Sequence, residues 1–119
     1  MKRITLLAGV AALAAVTVFS VGAYAGSQSA QKTTVKVTAK ESFRFTLSRS
    51  SAPHGKVSFV VTNKGRLKHD FAIAGKKTIM LGHNQTKTLT VTLAKGKHPY
   101  KCTVPGHAQA GMKGTFKST

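Results

Sequence analysis

Short runs in which apolar and polar residues alternate recur along this chain, and they restrict its fold more than any other feature. The clearest run is TLTVTL at residues 88–93, in which leucines and a valine alternate with threonines. A period of two is typical of strands that bury one face, and no segment beyond residue 25 keeps a helical period. Comparable runs occupy residues 35–38, 43–47, 57–62, 71–73 and 100–102.

Turn-forming residues separate these runs. Examples are Ala52-Pro53-His54-Gly55, Asn63-Lys64-Gly65 and Lys95-Gly96-Lys97. Glycine, proline and asparagine at such places favour tight turns between strands. About seven short strands joined in this way predict an all-β fold, a Greek-key β-sandwich, formed by one domain without internal repeats.

The N-terminal residues have the pattern of an export signal. Met1, Lys2 and Arg3 form a positive start, residues 4–21 are almost wholly apolar, and Ala23-Tyr24-Ala25 matches a signal-peptidase site. We therefore predict a signal peptide at 1–25, a flexible lead-in at 26–32 and the folded domain at 33–119. The protein would then be periplasmic or extracellular, in the cell envelope. Retention of the apolar run as a membrane anchor is the alternative.

The chain is strongly basic. It has 19 lysines and arginines against two acids, Glu41 and Asp70, and a formal net charge of +17. This balance predicts association with an anionic membrane or cell-wall surface and attraction to acidic partners, both weakened by salt. Nucleic acid fits poorly as a partner, because export would separate the two and no recognition motif is present.

Cys102 is the only cysteine, so the chain has no internal disulfide. In an exported protein it is an unpaired partner for another chain, a buried thiol or a metal ligand. His107 and Met112 follow it in a C-x4-H-x4-M pattern, which offers a thiolate, an imidazole and a thioether from one loop. Such soft donors select copper over hard cations. His69, at the start of an apolar strand after a turn, is the best candidate for a fourth ligand.

The segments NKG…HDFAI and YKCTVPGHAQAGMKGTF resemble those of the cupredoxins, the plastocyanin and azurin family. The loop spacing is similar to that of auracyanin-type small bacterial cupredoxins. The resemblance implies a type 1 (blue) copper ion and one-electron transfer rather than enzymatic catalysis. It also implies a metal site formed by His69, Cys102, His107 and Met112.

Further expectations follow from this resemblance. Electrons would leave through His107, an acidic redox protein would be the partner, and the chain would be a monomer. Asp70 could hydrogen-bond to Thr103 and so tie the two ligand segments together. Two other functions stay open, a copper carrier or storage protein and a basic polyanion-binding module. Three further histidines are interpreted as exposed loop residues, with a second copper site left open: His54, His83 and His98.

Overall fold

The computed structural model describes residues 32–119, so the predicted signal peptide and nearly all of the lead-in lie outside the described residues. The described part contains nine strands and no helix. It therefore has no helix that could cross a membrane. The strands are β1 (Thr33–Lys40), β2 (Arg44–Leu47), β3 (Ser51–Ala52), β4 (Gly55–Asn63), β5 (Ala72–Ile73), β6 (Lys76–Lys77), β7 (Thr86–Leu93), β8 (Gly96–Lys101) and β9 (Lys113–Ser118).

The strands form two sheets, which confirms the predicted all-β sandwich. One sheet has the order β2-β1-β4-β7 and the other has the order β3-β9-β8-β5-β6. The pairs β1–β4 and β3–β9 are parallel, whereas the other pairs are antiparallel. Strands that are consecutive in sequence therefore often belong to different sheets, as in a Greek key.

The alternating residues identified from the sequence form the core between the sheets. Val57, Phe59 and Val61 on β4 are fully buried, whereas Val60 and Thr62, which alternate with Phe59 and Val61, are half-buried. The Phe59 ring contacts both Phe71 and Phe116, with centroid separations of 5.2 Å in each case. Because these aromatic rings come from both sheets, their burial stabilises the sandwich as one unit.

The ends of several strands meet at one end of the sandwich. The parallel strands β1 and β4 both end there, at Lys40 and Asn63. β8 ends just before Cys102, and β9 begins just after Met112. This end of the sandwich is therefore where the predicted ligand segments converge.

The structure differs from the sequence expectation at Phe43. We expected its side chain to share a strand face with Phe45 and Leu47, but Phe43 lies in the turn before β2. Its N–H donates to the carbonyl of Lys40 at 3.2 Å, and its φ of 56° is in the left-handed region. The turn places the ring against the predicted ligands, on the same apolar cluster on which Phe45 packs.

Candidate metal centre

The loop between β8 and β9 folds back on itself and brings Cys102, His107 and Met112 together. The Cys102 N–H donates to the Met112 carbonyl at 3.0 Å, and the Met112 N–H donates to the His107 carbonyl at 3.1 Å. The His107 N–H in turn donates to the Val104 carbonyl at 3.1 Å. These backbone bonds pair both ends of the loop, so its three donor residues are held by local structure.

His69 lies in the connection between β4 and β5, and its side chain reaches the same place. It pairs with Leu81 through two backbone hydrogen bonds of 2.8 and 3.1 Å. The buried Asn63 side chain donates to the carbonyls of Leu67 and Leu81 at 2.8 Å and accepts the Gly65 N–H at 2.9 Å. Asn63 therefore fixes the loop that precedes His69, which explains why this polar residue is buried.

Three donor atoms converge on one point. The Nδ1 atoms of His69 and His107 are 3.1 Å apart, and the Cys102 Sγ lies 3.9 and 3.7 Å from them. All three atoms lie within 4.8 Å of one another. Ligands placed about 2.0–2.3 Å from a common metal ion have separations of this size. The donor set and its spacing therefore fit a copper ion, which one thiolate and two imidazoles would hold.

Met112 lies beside these donors. Its side chain is fully buried and packs in a small apolar cluster with Cys102 and Ala39. Phe43, Phe45 and Val104 pack against the same cluster. A buried thioether next to the cysteine would supply the weak fourth ligand that a blue-copper ion takes.

Burial controls the protonation of two of the donors. Burial lowers the pKa of His69, the charge of His107 lowers it further, and Asp70 acts in the opposite direction. Burial raises the pKa of the Cys102 thiol. The backbone amides of Asp70 and Val104 offset part of this rise, whereas the Asp70 carboxylate adds to it. The metal-free site at neutral pH therefore contains a neutral His69 ring and a protonated thiol.

Metal binding should consequently release a proton. Because the metal binds thiolate and the free site holds a thiol, protons compete with the metal at every pH below the raised pKa of Cys102. We expect Co(II), which does not oxidise the thiol, to release about one proton from Cys102 at pH 8. Affinity should rise about tenfold per pH unit. Titration in weakly buffered indicator solution measures this release, and Cys102→Ser should lose it. Binding without proton release would contradict the assignment.

The predicted tie between the ligand segments is confirmed. Asp70 follows His69 and is buried, and Thr103 follows Cys102. The Thr103 N–H donates to Asp70 Oδ1 at 2.6 Å, and the Thr103 hydroxyl donates to Oδ2. One carboxylate thus holds two chain segments that are distant in sequence, and both of its oxygens have partners.

Two further residues act on the site but were not predicted from the sequence. The Phe43 ring lies edge-on to the His107 ring, with centroids 4.9 Å apart, and 6.3 Å from the His69 centroid. Arg44 donates from one nitrogen to the carbonyls of Phe43 and Ala110 at 2.9 and 2.7 Å. The positive φ of Phe43 has no local sequence signal. The bond from Arg44 to Ala110 joins residues 66 positions apart.

Gly65 leaves the space that the His69 ring occupies. A Cβ atom at position 65 would lie 3.0 Å from His69 Nε2 and 3.2 Å from backbone atoms of Glu41. That Nε2 atom is buried and has no hydrogen-bond partner within residues 32–119. The ring is therefore held by close packing on this side rather than by a hydrogen bond.

Replacing Gly65 with alanine should crowd the His69 ring. We expect Gly65→Ala to lower the free energy of unfolding by about 1–3 kcal/mol, because the new methyl overpacks a buried site. Gly82→Ala is a matched control, since its Cβ would meet only the movable end of Gln85, at 3.3 Å. Denaturant unfolding of both metal-free variants measures the difference. Equal stabilities would show that the ring has room to move.

The three remaining histidines each contact a backbone carbonyl. Nδ1 of His54 lies 2.9 Å from the Thr119 oxygen, and Nδ1 of His83 lies 3.0 Å from the Gly65 oxygen. His98 is half-buried within β8 rather than in a turn, with Nε2 at 2.7 Å from the Ala94 oxygen. In residues 32–119, the group formed by His69, Cys102 and His107 is the only metal-ligand cluster of three or more such residues.

Solved structures with the same fold include auracyanins and rusticyanin. Auracyanin from Roseiflexus castenholzii matches with a TM-score of 0.60 and 23% identity, over 73% of this chain and 97% of that chain. Auracyanin A, described as a "blue" copper protein from Chloroflexus aurantiacus, matches with a TM-score of 0.63 and 18% identity, over 74% and 99%. Rusticyanin from Thiobacillus ferrooxidans matches with a TM-score of 0.64 and 20% identity, over 76% and 79%. These likenesses establish a cupredoxin fold.

The family is established by sequence. No curated protein sequence gives a significant match. The family described as "Copper binding proteins, plastocyanin/azurin family" matches residues 18–118, which is most of the chain. The match confirms the resemblance found in the ligand motifs. The chain therefore belongs to the plastocyanin/azurin family of copper-binding proteins.

Proposed function

We propose that this protein is a one-electron carrier of the cell envelope, with a type 1 copper site formed by His69, Cys102, His107 and Met112. The observation that carries the proposal is the meeting of one thiol sulfur and two imidazole nitrogens within 4.8 Å. Copper bound to such donors supplies a couple between Cu(II) and Cu(I). The envelope location is supported by the apolar N-terminal run and the Ala23-Tyr24-Ala25 motif.

The surroundings of the donors support fast electron transfer. Backbone hydrogen bonds hold Cys102 to Met112 and His69 to Leu81, and the Asp70 carboxylate joins the segments. Each donor is thus fixed before metal binds, and a fixed donor set changes little between two oxidation states. A small change in geometry means a low barrier to gain and loss of an electron, because preorganised groups need not rearrange.

His107 is the proposed route for the electron. His69, Cys102 and Met112 are each at most 1% exposed, whereas His107 is half-buried and reaches solvent. Small residues surround it and leave its ring edge accessible to a partner. They are Val104, Pro105, Gly106, Ala108, Ala110 and Gly111, which are all half-buried or exposed.

Electron self-exchange tests the proposal. Mixtures of the oxidised and reduced copper protein should show NMR resonances that broaden with the oxidised fraction, because electrons hop between identical sites. A copper carrier, the alternative with the same ligands, should instead lose its metal quickly to a competing chelator. Slow self-exchange together with rapid loss of copper would overturn the electron-carrier proposal in favour of the carrier.

The charge of the protein supports an acidic redox partner. The reduced protein should react with an anionic oxidant such as ferricyanide faster than the difference in reduction potential alone predicts. Added salt should slow this reaction. Oxidation by a cationic cobalt(III) complex should respond to salt in the opposite direction. Stopped-flow kinetics over a range of ionic strengths measures both slopes. Equal slopes would contradict electrostatic selection of an acidic partner.

A further inference from the structure

Lysines stand opposite one another on the outer face of the five-stranded sheet. On the β8–β9 ladder, Lys101 pairs directly with Lys113, and Lys97 pairs directly with Lys117. Directly opposed residues of antiparallel strands point to the same face, and like charges in such pairs are destabilising. All four side chains are exposed, opposite in direction to the buried Phe116. These like-charge pairs therefore lower the stability of the sheet, and packing within the chain gives no reason for them.

The row of charge continues across the sheet. Ala72 on β5 lies next to Lys101, and Lys77 on β6 lies next to Ala72. Because neighbouring strands are about 4.8 Å apart, this row places Lys77, Lys101 and Lys113 along roughly 14 Å. We call Lys77, Lys101 and Lys113 the lysine row.

No acid of the chain neutralises the lysine row. The sequence contains only two acids. The Asp70 carboxylate is buried and accepts hydrogen bonds from Thr103, and Glu41 lies 3.9 Å from Arg66. Neither acid is available to the sheet face, so the lysine charges are compensated only by solvent ions or by a ligand.

The lysine row borders an open groove of about 960 Å³. The hairpin of β5 and β6 forms one wall, and residues of β8 and β9 form the floor. Lys76 joins the three lysines of the row around a surface that also includes Ala72 and Pro99. A concave surface bordered by the three lysines of the row, with Lys76 at its rim, is complementary to an extended anion.

The residue types in the groove indicate which anion fits. Lysine presents a compact charge with rotatable donors, which suits phosphate, whereas the planar arginine fork suits bidentate carboxylate recognition. None of Arg44, Arg49 and Arg66 lines the groove. Lysine is also depleted in protein–protein interfaces. These features favour a phosphate-bearing polymer over an acidic protein.

Two other ligand classes lack the contacts they need. The edge of β8 beside the groove contains Pro99, which has no N–H to pair with an added peptide strand. The large exposed apolar side chains of the described residues are elsewhere, so the groove offers no anchors for a bilayer. Those side chains are Leu67, Ile79 and Met80.

We propose that this groove binds a linear polymer whose charges are phosphate diesters, with the lysine row and Lys76 as its contacts. The binding does not use the copper ligands, because none of these lysines is a predicted ligand, and the exposed Lys101 and Lys113 lie on the opposite face from the buried Cys102 and Met112 next to them. It would hold the electron carrier on a polyanionic matrix through a face other than the surroundings of His107.

Poly(glycerol phosphate) is the probe for this test. The triple variant Lys77→Gln/Lys101→Gln/Lys113→Gln should bind it about a hundredfold more weakly than the unchanged protein, since each lysine contributes roughly fivefold. The matched control Lys36→Gln/Lys56→Gln/Lys87→Gln removes the same net charge from exposed positions of the other sheet. It should lose less than about fivefold in affinity, from the weaker overall field. Binding is measured by calorimetry at fixed ionic strength with copper-loaded protein.

Several outcomes would overturn the proposal. Equal losses in the two triple variants would assign the binding to total charge rather than to the groove. Tighter binding of polygalacturonate, polyglutamate or anionic vesicles at matched charge would assign the groove to another class of partner. The groove variant should unfold at the same or a higher temperature than the unchanged protein, because it loses the Lys101–Lys113 repulsion, so misfolding is separable from lost binding. Metal-free Cys102→Ser should bind the polymer as tightly as the metal-free unchanged protein, which separates this proposal from the electron-carrier function.

Discussion

The Cys102→Ser protein is expected to fold and to remain colourless when Cu(II) is added. Intense visible absorption in a blue-copper site comes from charge transfer between the cysteine sulfur and the metal, and an alcohol oxygen supplies no such band. The side chain of Cys102 is 1% exposed and lies among apolar neighbours. The buried hydroxyl should therefore cost only about 1–3 kcal/mol of the free energy of unfolding of the metal-free protein.

The larger effect of this substitution should appear in the metal-bound state. A ligand at about 1,000 times its dissociation constant stabilises a protein by about 4.1 kcal/mol. In a domain of this size that corresponds to a rise in melting temperature of about 15–30 °C. We expect the unchanged protein to gain this rise with copper and Cys102→Ser to gain almost none. Calorimetry with and without one equivalent of copper measures both.

Met112→Leu is the matched control for this experiment. It keeps an apolar side chain of similar volume at the second buried position but removes the thioether. Because an axial methionine is a weak ligand, this variant should keep the visible band with altered energy and keep most of the thermal gain. An intense visible band in Cys102→Ser would refute the proposed role of the thiolate. Complete loss of the visible band in a folded Met112→Leu would refute the proposed role of Met112 as a weak ligand.

Local sequence was sufficient to propose the candidate donors of the C-terminal loop. Cys102, His107 and Met112 lie within eleven residues, and one loop between paired strands necessarily keeps them close. His69 is 33 positions from Cys102, so its inclusion depended on the resemblance and on its place before an apolar strand. The strand alternation likewise predicted the sandwich core around Phe59, because the alternation of apolar and polar residues within each strand indicates which face is buried.

Features that depend on register or on unusual backbone conformation could not be predicted. The turn that directs Phe43 at the histidine rings has a positive φ in a residue other than glycine, and alternation placed this residue in a strand rather than in a turn. Lys101 and Lys113 become neighbours only through the pairing of β8 with β9. A sequence shows that both positions are basic, but it does not show which strands pair or in which register. The groove beside the lysine row could therefore not be predicted before the pairing of the strands was known.

Asp70→Ala and Asp70→Asn should separate the structural and electrostatic roles of the tie between the ligand segments. In Asp70→Ala, the Thr103 N–H and hydroxyl lose the charged oxygens to which they donate. Hydrogen bonds to charged groups contribute about 1.5–3 kcal/mol each, so we expect a loss of about 3 kcal/mol or more in the free energy of unfolding. The His69 and Cys102 segments would then move apart more readily, and copper should dissociate faster.

Asp70→Asn keeps the shape of the side chain and one carbonyl oxygen for the Thr103 N–H. Its amide can donate to the Thr103 hydroxyl, so stability should stay within about 1 kcal/mol of the unchanged protein. What it removes is a negative charge near the Cys102 sulfur, a charge that adds to the rise that burial causes in the pKa of that thiol. Loss of a nearby negative charge disfavours the more positive Cu(II) state. The reduction potential should therefore rise, by an amount on the order of 50–100 mV.

The pair of variants makes the test decisive because the two roles predict different signatures. Denaturant unfolding should give the order unchanged protein, Asp70→Asn, Asp70→Ala, with a small first step and a large second one. Voltammetry should show the raised potential in Asp70→Asn even though its stability is preserved. If the potential of Asp70→Asn is unchanged, Asp70 carries no charge toward the copper site. If Asp70→Ala is as stable as Asp70→Asn, the bonds from Thr103 do not hold the ligand segments together, and the arrangement of His69 beside Cys102 must depend on Asn63 and Leu81 instead.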